Sequence, residues 1–275
     1  MKKFLTALTL VLALVIACAS CVKTDIPTPP SKGNEIEIEE LVEFYENITQ
    51  KQTENEVSIK DAWYVITLEE VNHVIHANDT EDKMHGASSI DFYNPLVEAD
   101  LTYRVSATTS TERIVNGESN GAKTEKGMII GIDHKAYVES YEVSFEETEP
   151  SKSIQSINIV FDVLTAFKDV TLESIVNGFS PLTQSAFLLE TESTSTLTVI
   201  YEYENTDTKL EQTVVFEFDS LTGAFKSIIV HACKQQVIPT DLGDDYSTQI
   251  VEFTCKTSIP LPVFKPEETE SGAWA

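Results

Sequence analysis

Arginine and long apolar runs are scarce in this chain, and each scarcity excludes a class of protein. Among 275 residues there are two arginines, Arg104 and Arg113, and 45 acidic residues outnumber 19 basic ones, for a formal net charge of −26. A surface this acidic repels phosphate backbones, so we exclude nucleic acid as a partner. The apolar run at residues 4–16 is shorter than the about 20 residues that a helix needs to cross a membrane.

Sequence motifs of catalysis and of metal binding are missing as well. There is no Gly-x-Ser-x-Gly elbow, and His73-x-x-His76 lacks both a second ligand pair and the glutamate of a zinc-protease helix. Residues 79–91 do not alternate oxygen ligands as a calcium loop does, and residues 117–124 have the wrong spacing for a phosphate-binding loop, so we expect a hairpin tip there. We therefore expect no enzymatic activity, no metal and no cofactor apart from covalent lipid. The histidine- and carboxylate-rich patch that we assign to a solvated loop consists of His73, His76, Asp79, Glu81, Asp82 and His85.

The N-terminus has the pattern of an exported precursor. Lys2 and Lys3 form a positive region before the apolar residues 4–16, which is the arrangement of a signal peptide. Removal of this segment takes the two lysines away and changes the formal net charge from −26 to −28. So many negative charges favour a soluble domain that stands off from anionic lipid headgroups.

The residues Val15-Ile16-Ala17-Cys18 resemble the lipobox of bacterial lipoprotein precursors. The resemblance implies that the Cys18 thiol receives a diacylglycerol and that the chain is cut just before it. Acyl chains at ~0.8 kcal/mol per buried CH₂ would then hold the protein on the outer face of the cytoplasmic membrane, or in an outer membrane if the host has one. Cys21 is the alternative attachment site, and an ordinary signal peptide cleaved near the same place is the other alternative.

Composition divides the chain into four parts. Residues 1–17 are the predicted lipoprotein signal peptide, and residues 18–33, which include Pro27, Pro29 and Pro30, are predicted to form an extended lipidated tether. Residues 34–262 are long enough for one β-rich domain with its own core. Residues 263–275 are predicted to be a flexible acidic tail.

Apolar periodicity predicts one amphipathic helix followed by many strands. Residues 35–50 place Ile38, Leu41, Tyr45 and Ile48 on one stripe, as in a helix, whereas residues 58–77 are ambiguous and favour a helix followed by a strand. Residues 101–107, 157–163, 197–203 and 214–218 alternate with period two, which is typical of an antiparallel sheet with one buried face. Residues 162–177 read as short helical turns that Gly178 ends. The predicted class is α+β, mostly antiparallel β, with a curved sheet or half-barrel packed on the N-terminal helix and on short central helices.

Turn composition predicts two hairpins and a third that brings two cysteines together. Residues 132–137 and 219–223 have the composition of hairpin turns. If residues 227–235 and 248–257 pair about a turn near residue 244, Cys233 lies directly opposite Cys255. Export would allow the pair to oxidise, and closing that loop could contribute roughly 3 kcal/mol, so we expect a disulfide, with two buried thiols as the alternative.

The predicted architecture resembles the half-barrel family of the bacterial lipoprotein carrier and the mycobacterial lipid-transfer lipoproteins. The features that carry the resemblance are the helix at residues 35–50, the hairpin segment 131–139, and the segment 216–228 with Asp219 and Gly223. The resemblance implies a curved sheet over helices with an apolar cavity that can take acyl chains. The aromatic residues that would line this cavity are Tyr103, Tyr137, Phe161, Tyr201, Phe216 and Phe218.

Two function hypotheses follow from these patterns. The first is a non-catalytic, membrane-anchored binder or carrier of a hydrophobic ligand, for which lipid is the leading candidate. The alternative is a structural or interaction lipoprotein of the cell envelope whose β core is solid and holds no small molecule. A hydrolase would need a nucleophile and a base assembled from distant residues, so it ranks third.

Overall fold

A computed structural model describes residues 33–58, 62–94, 102–132, 135–145 and 171–258, which form eleven strands and two helices. Most strands are longer than 10 residues, so the polypeptide is dominated by a few long hairpins. The elements are β1 (Asn34–Ile36), α1 (Ile38–Glu54), β2 (Ala62–Ile75), β3 (Thr80–Asn94), β4 (Thr102–Val115), β5 (Glu118–Ile132), β6 (Lys135–Phe145), α2 (Leu172–Gly178), β7 (Gln184–Glu190), β8 (Thr194–Glu204), β9 (Thr208–Asp219), β10 (Phe225–Thr240) and β11 (Gly243–Thr257).

All eleven strands belong to one antiparallel sheet. Its order is β1-β7-β8-β9-β10-β11-β2-β3-β4-β5-β6, so two meanders, β2 to β6 and β7 to β11, are joined where β11 pairs with β2. β1 and β6 lie at the two ends of this order, and the sheet is open. The predicted class of α+β with a sheet packed on several helices is therefore wrong: the fold is mostly antiparallel β.

The physical reason for this correction lies in residues 58–77. Their apolar residues fit helical spacing at three positions, but the described part of the segment is the single strand β2, which pairs with both β3 and β11 along almost its whole length. Two ladders of backbone hydrogen bonds and β-branched side chains outweigh a weak helical periodicity. Helix is confined to α1 and α2 within the described residues, and the other turns predicted at residues 162–170 lie outside them.

The two faces of the sheet differ in character. We call the face that carries Ile66, Ile90, Phe216 and Ile228 the helix face, because its buried side chains join those of α1 and α2 in the main core. The opposite face, which carries Thr67, Glu69, Thr254 and their neighbours, is the outer face. This alternation confirms the period-two pattern found at residues 102–107, 197–203 and 214–218, whereas the pattern at residues 157–163 lies outside the described residues.

Helix α1 begins three residues later than its pattern predicted, because residues 34–36 are used as the edge strand β1. Glu40 accepts a hydrogen bond from the backbone N–H of Glu37 at 3.0 Å, which satisfies a donor at the helix start. Leu41, Phe44 and Ile48 are buried against the sheet, and the Phe44 ring meets the Phe218 ring edge-on with centroids 6.2 Å apart. Within the described residues no helix is both long and apolar enough to cross a membrane.

The far end of α1 is fastened to the β9–β10 turn. The Lys51 ammonium donates to the Ser220 carbonyl at 2.9 Å, and the Gln52 amide donates to the Gly223 carbonyl at 2.9 Å. Gly223 has φ of +71°, which the turn requires and which favours glycine. The predicted turn at residues 219–223 is thus confirmed, and it also serves as a docking point for the helix.

Of the two other predicted hairpins, one is confirmed and the other has a shorter tip than predicted. Lys135 pairs with Ile132, so β5 and β6 form the hairpin expected at residues 132–137. The tip expected at residues 117–124 is shorter than that, because only Asn116 and Gly117, both with positive φ, form the turn and the rest continues as β5.

Candidate functional site

The predicted disulfide between Cys233 and Cys255 does not form. β10 and β11 turn at residues 241–242 rather than near 244, so Cys233 lies opposite Ile250 and Cys255 lies opposite Ile228. A hairpin shifted by an odd number of residues moves a side chain to the other face, and the two thiols therefore lie on opposite faces of the sheet. Cys255 is completely buried on the helix face, and burial raises its pKa well above the usual value of a thiol.

Most of the aromatic residues predicted to line a cavity are packed in the main core. Tyr103, Phe216 and Phe218 are at most 6% exposed, and Tyr201 packs against the same cluster. Burial raises the pKa of Tyr201 to about 12. Tyr137 lies in β6 opposite Ile130, and Phe161 lies outside the described residues, as do Cys18 and Cys21. Tyr103, Phe216 and Phe218 therefore belong to the main core, Tyr201 packs against it, and the Phe218 ring contacts Phe44 of α1.

The histidine- and carboxylate-rich patch is not one loop but is divided between the two faces and the β2–β3 tip. His73 on the outer face contacts Glu81 at 2.7 Å, and His85 contacts Glu69 at 2.9 Å. No group of three or more metal-ligating side chains converges among the described residues.

His76 differs from the other two histidines of the patch, because its contacts join three strands. Its Nδ1 lies 2.8 Å from Asp245 Oδ2 at the start of β11, and its Nε2 lies 3.0 Å from Asp82 Oδ2 on β3. Both partners are acceptors, so the ring must carry two protons to make both bonds. The hydrogen bonds of Asp245 and then of Asp82 raise the pKa of His76 above its usual range, against a smaller opposing effect of burial.

Arg113 extends this network to a fourth strand. Its Nε and Nη2 each donate to Asp82 at 2.6 Å, and this fork holds the pKa of Asp82 at about 2. The backbone N–H of Ala77 and then His76 lower the pKa of Asp245 in the same way. The chain Asp245, His76, Asp82, Arg113 therefore clasps β11, the β2–β3 tip and β4 together, and we call it the His76 clasp.

Next to the clasp, the helix face carries a groove of about 440 Å³ near the hairpin tips. Asn72 and Val74 on β2, Met84 on β3 and Thr111 on β4 line it, and the ion pair of Asp82 with Arg113 lies at one end. Lys83 and Glu112, which lie opposite each other in the β3–β4 register, also line it. The Lys83 ammonium pairs with Glu81 at 3.3 Å, so the ion pair that lies within the groove is that of Asp82 with Arg113.

Two buried polar residues lie on β11, the strand next to β2 on the side away from this groove. Gln249 is 1% exposed and Ser247 is 2% exposed, yet neither the Gln249 amide nor the Ser247 hydroxyl has a hydrogen-bond partner. Both are on β11, directly across from the groove residues Asn72 and Val74. Buried polar groups without partners are rare, and each one costs free energy because it has lost its hydrogen bonds to water.

The outer face has a second groove, of about 390 Å³. It is lined mainly by small hydroxyl side chains, and by Glu69 and Glu252, which lie directly opposite each other on β2 and β11. Like charges at this spacing repel. His85 lies 2.9 Å from Glu69 and His231 lies 3.4 Å from Glu252, so each carboxylate has a nearby histidine.

Sequence reasoning identified His76 and Asp82 as members of a patch but missed Arg113, Asp245, Gln249 and Ser247. Asp245 and Arg113 are 169 and 37 residues away from His76, so their contacts follow from the sheet order rather than from spacing along the chain. Gln249 carried one usable signal, since it lies in the middle of β11 directly before the apolar residues Ile250 and Val251.

Comparison with known proteins gives this chain no family. No family model matches it, and no curated protein matches it. Among solved structures, the translocator domain of the autotransporter NalP from Neisseria meningitidis matches at 7% identity with a TM-score of 0.20, covering 78% of this chain and 95% of that chain. A likeness at that TM-score carries no argument about fold or function.

Proposed function

We propose that this protein is a non-catalytic lipoprotein, anchored outside the cytoplasm through Cys18, that acts by binding at the surface of a solidly packed β-sheet. The observation that carries the proposal is the packing of Tyr103, Phe216 and Phe218 with α1 in the main core. Of the two functions suggested by the sequence, this packing supports the interaction lipoprotein over the carrier of a hydrophobic ligand.

The anchor is supported by the lipobox-like residues 15–17 before Cys18. Gly33 has φ of +72°, and a Cβ atom at this position would collide with the Leu188 carbonyl oxygen, so the backbone at Gly33 lies close against β7. About 15 residues separate Cys18 from this point, and a chain of that length spans at most ~50 Å. A lipid on Cys18 would therefore attach the protein through β1 at one edge of the sheet, with the edge at β6 farthest from it in strand order.

Metabolic labelling tests the anchor. In a bacterial host fed an alkyne-tagged palmitate, we expect the full chain to incorporate the label and to sediment with membranes. Cys18→Ala should abolish both, whereas Cys21→Ala, the matched control three residues away, should leave both unchanged. Incorporation that survives Cys18→Ala and disappears in Cys21→Ala would show that the lipid is attached to Cys21. Absence of label from the unmodified chain would refute the anchor.

Native mass spectrometry of the full chain tests the surface-acting role. We expect the mass of the acylated polypeptide without a further lipid, because the aromatics of the core already contact one another and α1. A stoichiometric lipid that survives purification and is lost on Phe216→Ala would contradict the proposal and favour the carrier hypothesis.

A further inference from the structure

We propose that the turn end of the β10–β11 hairpin is a docking surface for a basic protein segment that carries both aliphatic and cationic side chains. The inference names the kind of partner for the surface-binding role proposed above and rests on that role. Four large apolar side chains are exposed at this end of the sheet, and we call them the tip patch: Ile75, Ile238, Leu242 and Tyr246.

The end of this hairpin projects beyond the strands on either side of it. In the described register β9 pairs with β10 only as far as Gln236, and β2 pairs with β11 only as far as Tyr246. Residues 238–240 and 243–245 therefore pair with each other as a two-stranded ribbon. The ribbon lacks the flanking strands that cover apolar side chains elsewhere in the sheet, which explains why Ile238 and Leu242 remain exposed.

The ribbon is held in one position by its turn and by the His76 clasp. The Thr240 hydroxyl donates to the Gly243 carbonyl at 2.6 Å across the turn. At the base of the ribbon, Asp245 accepts a hydrogen bond from the Ala77 backbone N–H at 2.9 Å and contacts His76 at 2.8 Å. A surface that is already ordered loses less conformational entropy when a partner binds, so this ribbon is suited to docking.

Tyr246 lies at the centre of an apolar row on the outer face. It is directly opposite both Ile75 on β2 and Val237 on β10, and its side chain is more than half exposed. The next row toward the middle of the sheet is polar, with Thr248 opposite His73. Exposed apolar side chains that are grouped and rimmed by polar residues mark interaction sites, and tyrosine is enriched among the residues that contribute most to protein–protein binding.

Three hairpin tips meet at the base of the ribbon. The Val237 backbone N–H donates to the Asp207 carbonyl at 2.8 Å, which brings the β8–β9 tip against β10. A Cβ atom built on Gly243 would lie 3.1 Å from the Ala77 Cβ atom, so the β2–β3 tip lies against β11. These tips contain eight acidic residues and neither lysine nor arginine, within residues 77–82, 204–208 and 237–245.

This charge selects a cationic partner. Arg113 pairs with Asp82 and Lys83 pairs with Glu81, so two of the eight carboxylates are neutralised from outside the tips and negative charge remains in excess. The remaining charge attracts a basic segment and repels acidic proteins and anionic lipid headgroups. A segment with leucine or isoleucine between lysines or arginines therefore complements both the tip patch and the acidic surface around it.

The position of the tip patch favours a protein over the membrane that would hold Cys18. Gly33 lies against Leu188 beside the β7–β8 turn, and Ser193 of that turn accepts a hydrogen bond from the Ser220 backbone N–H of the β9–β10 turn. The tip patch lies at the other end of β10, whose 16 residues extend about 50 Å. The tether therefore enters at the end of the sheet opposite to the patch.

Fluorescence anisotropy with synthetic peptides tests the inference. The probes are three labelled peptides of equal length, in which leucine alternates with lysine, leucine alternates with glutamate, or serine alternates with lysine. Each is titrated with the full acylated chain in phosphatidylcholine nanodiscs, and empty nanodiscs give the background. We expect the leucine–lysine peptide to bind at least about tenfold more tightly than either of the others, because it alone complements both the apolar side chains and the charge.

Leu242→Ser tests whether this binding occurs at the tip patch, and Leu221→Ser is its matched control. Both leucines lie in hairpin turns and are exposed, by 80% and 77%, but they lie at opposite ends of the sheet. Leu242→Ser should weaken binding of the leucine–lysine peptide by about fivefold or more, and Leu221→Ser by less than about twofold. Tyr246→Thr, which keeps a good strand residue, should also weaken it.

A tryptophan in the tip patch distinguishes a protein partner from a membrane. Leu242→Trp is placed in nanodiscs that contain brominated phosphatidylcholine, which quenches tryptophan in contact with lipid. We expect the fluorescence that this substitution adds to remain unquenched, because the patch lies far from the tether. Quenching of that fluorescence would overturn the inference in favour of a membrane-binding tip.

Absence of binding by the leucine–lysine peptide would also overturn the inference. Equal binding of the serine–lysine peptide, or equal losses in Leu242→Ser and Leu221→Ser, would do the same, since either result would show that charge alone attracts the probe. These outcomes are distinct from failure of the proposed anchor, because palmitate incorporation is measured separately and a chain without lipid would be titrated without nanodiscs.

Discussion

The His76 clasp predicts a specific dependence of stability on pH. We consider His76→Gln, which replaces a ring held by Asp245 at 2.8 Å and Asp82 at 3.0 Å with an uncharged amide. The His76 side chain is 27% exposed, so water screens both pairs, and we assign each the ~0.2–1 kcal/mol typical of exposed ion pairs. The expected loss in the free energy of unfolding is therefore about 1 kcal/mol when the ring is charged.

The sign of the pH effect follows from the raised pKa of His76 in the folded protein. A raised pKa means that the folded state binds the proton more tightly, so the contribution is complete below the unfolded pKa of about 6.5 and is lost as pH rises through the folded pKa. Asp82 and Asp245 have lowered pKa values, so they stay charged across this window. The difference in the free energy of unfolding between the unmodified protein and His76→Gln should therefore be larger at mildly acidic pH than at alkaline pH.

Urea unfolding followed by circular dichroism, at about pH 5.5 and about pH 9, measures this difference in the free energy of unfolding. His85→Gln is the control, because His85 contacts Glu69 at 2.9 Å with both side chains more than half exposed, and it should cost less than His76→Gln at the acidic pH. A gap for His76→Gln that is equal at both pH values would show that the ring is held as a neutral group and would refute the assignment of two donated hydrogen bonds.

Three other predictions concern the core, the turn and the cysteines. Phe44→Ala should lower the free energy of unfolding by ~3–5 kcal/mol in urea titrations, since it leaves a cavity beneath α1, whereas the exposed Glu43→Ala should change it by less than ~0.5 kcal/mol. Gly223→Ala should cost more than ~1 kcal/mol in the same assay, because φ is +71° and the new Cβ would approach the backbone of α1 to 2.9 Å; an unchanged stability would contradict the docking of the turn on the helix. Intact mass after denaturation and alkylation without reductant should show both Cys233 and Cys255 modified, and an unmodified pair lighter by two hydrogens would reveal the disulfide that the register forbids.

The strands of this fold were largely predictable from sequence, and their register was not. Alternation at residues 197–203 and 214–218 identifies β8 and β9 because a half-buried strand repeats with period two. The β10–β11 hairpin shows the limit: both strands are recognisable and their turn was predicted near residue 244, but β11 already begins at Gly243, which has φ of +130°. Placing the turn two to three residues late was enough to put Cys233 on the wrong face.

The candidate site was hidden from sequence for a different reason. Glutamine and serine are mostly exposed in proteins, so Gln249 and Ser247 read as surface residues until the sheet order places them across from β2. The His76 clasp is similar, since its members come from three hairpin strands and one tip and share no motif. A contact set by strand order leaves no spacing signal along the chain.

Strand length connects the site to the rest of the fold. β2, β3, β10 and β11 have 14 to 16 residues, or about 50 Å at 3.3 Å per residue, whereas the 17 residues of α1 extend about 25 Å. Even if α1 lay along the strands, it could cover only about half of their length. The apolar rows of the helix face, from Tyr64 to Leu68 on β2, match that half, and beyond them the same face turns polar at Glu70.

The main core therefore does not need the polar half of these long strands. A core that required only α1 and α2 would be served by strands of the more usual five or six residues, and each added residue costs ~1–2 kcal/mol of backbone entropy. The additional strand buries Gln249 and Ser247 without satisfying them, although hydrophobic residues at these positions would be more stable. Replacing the Gln249 amide, which has no hydrogen-bond partner among the described residues, with leucine should therefore raise the free energy of unfolding in urea titrations.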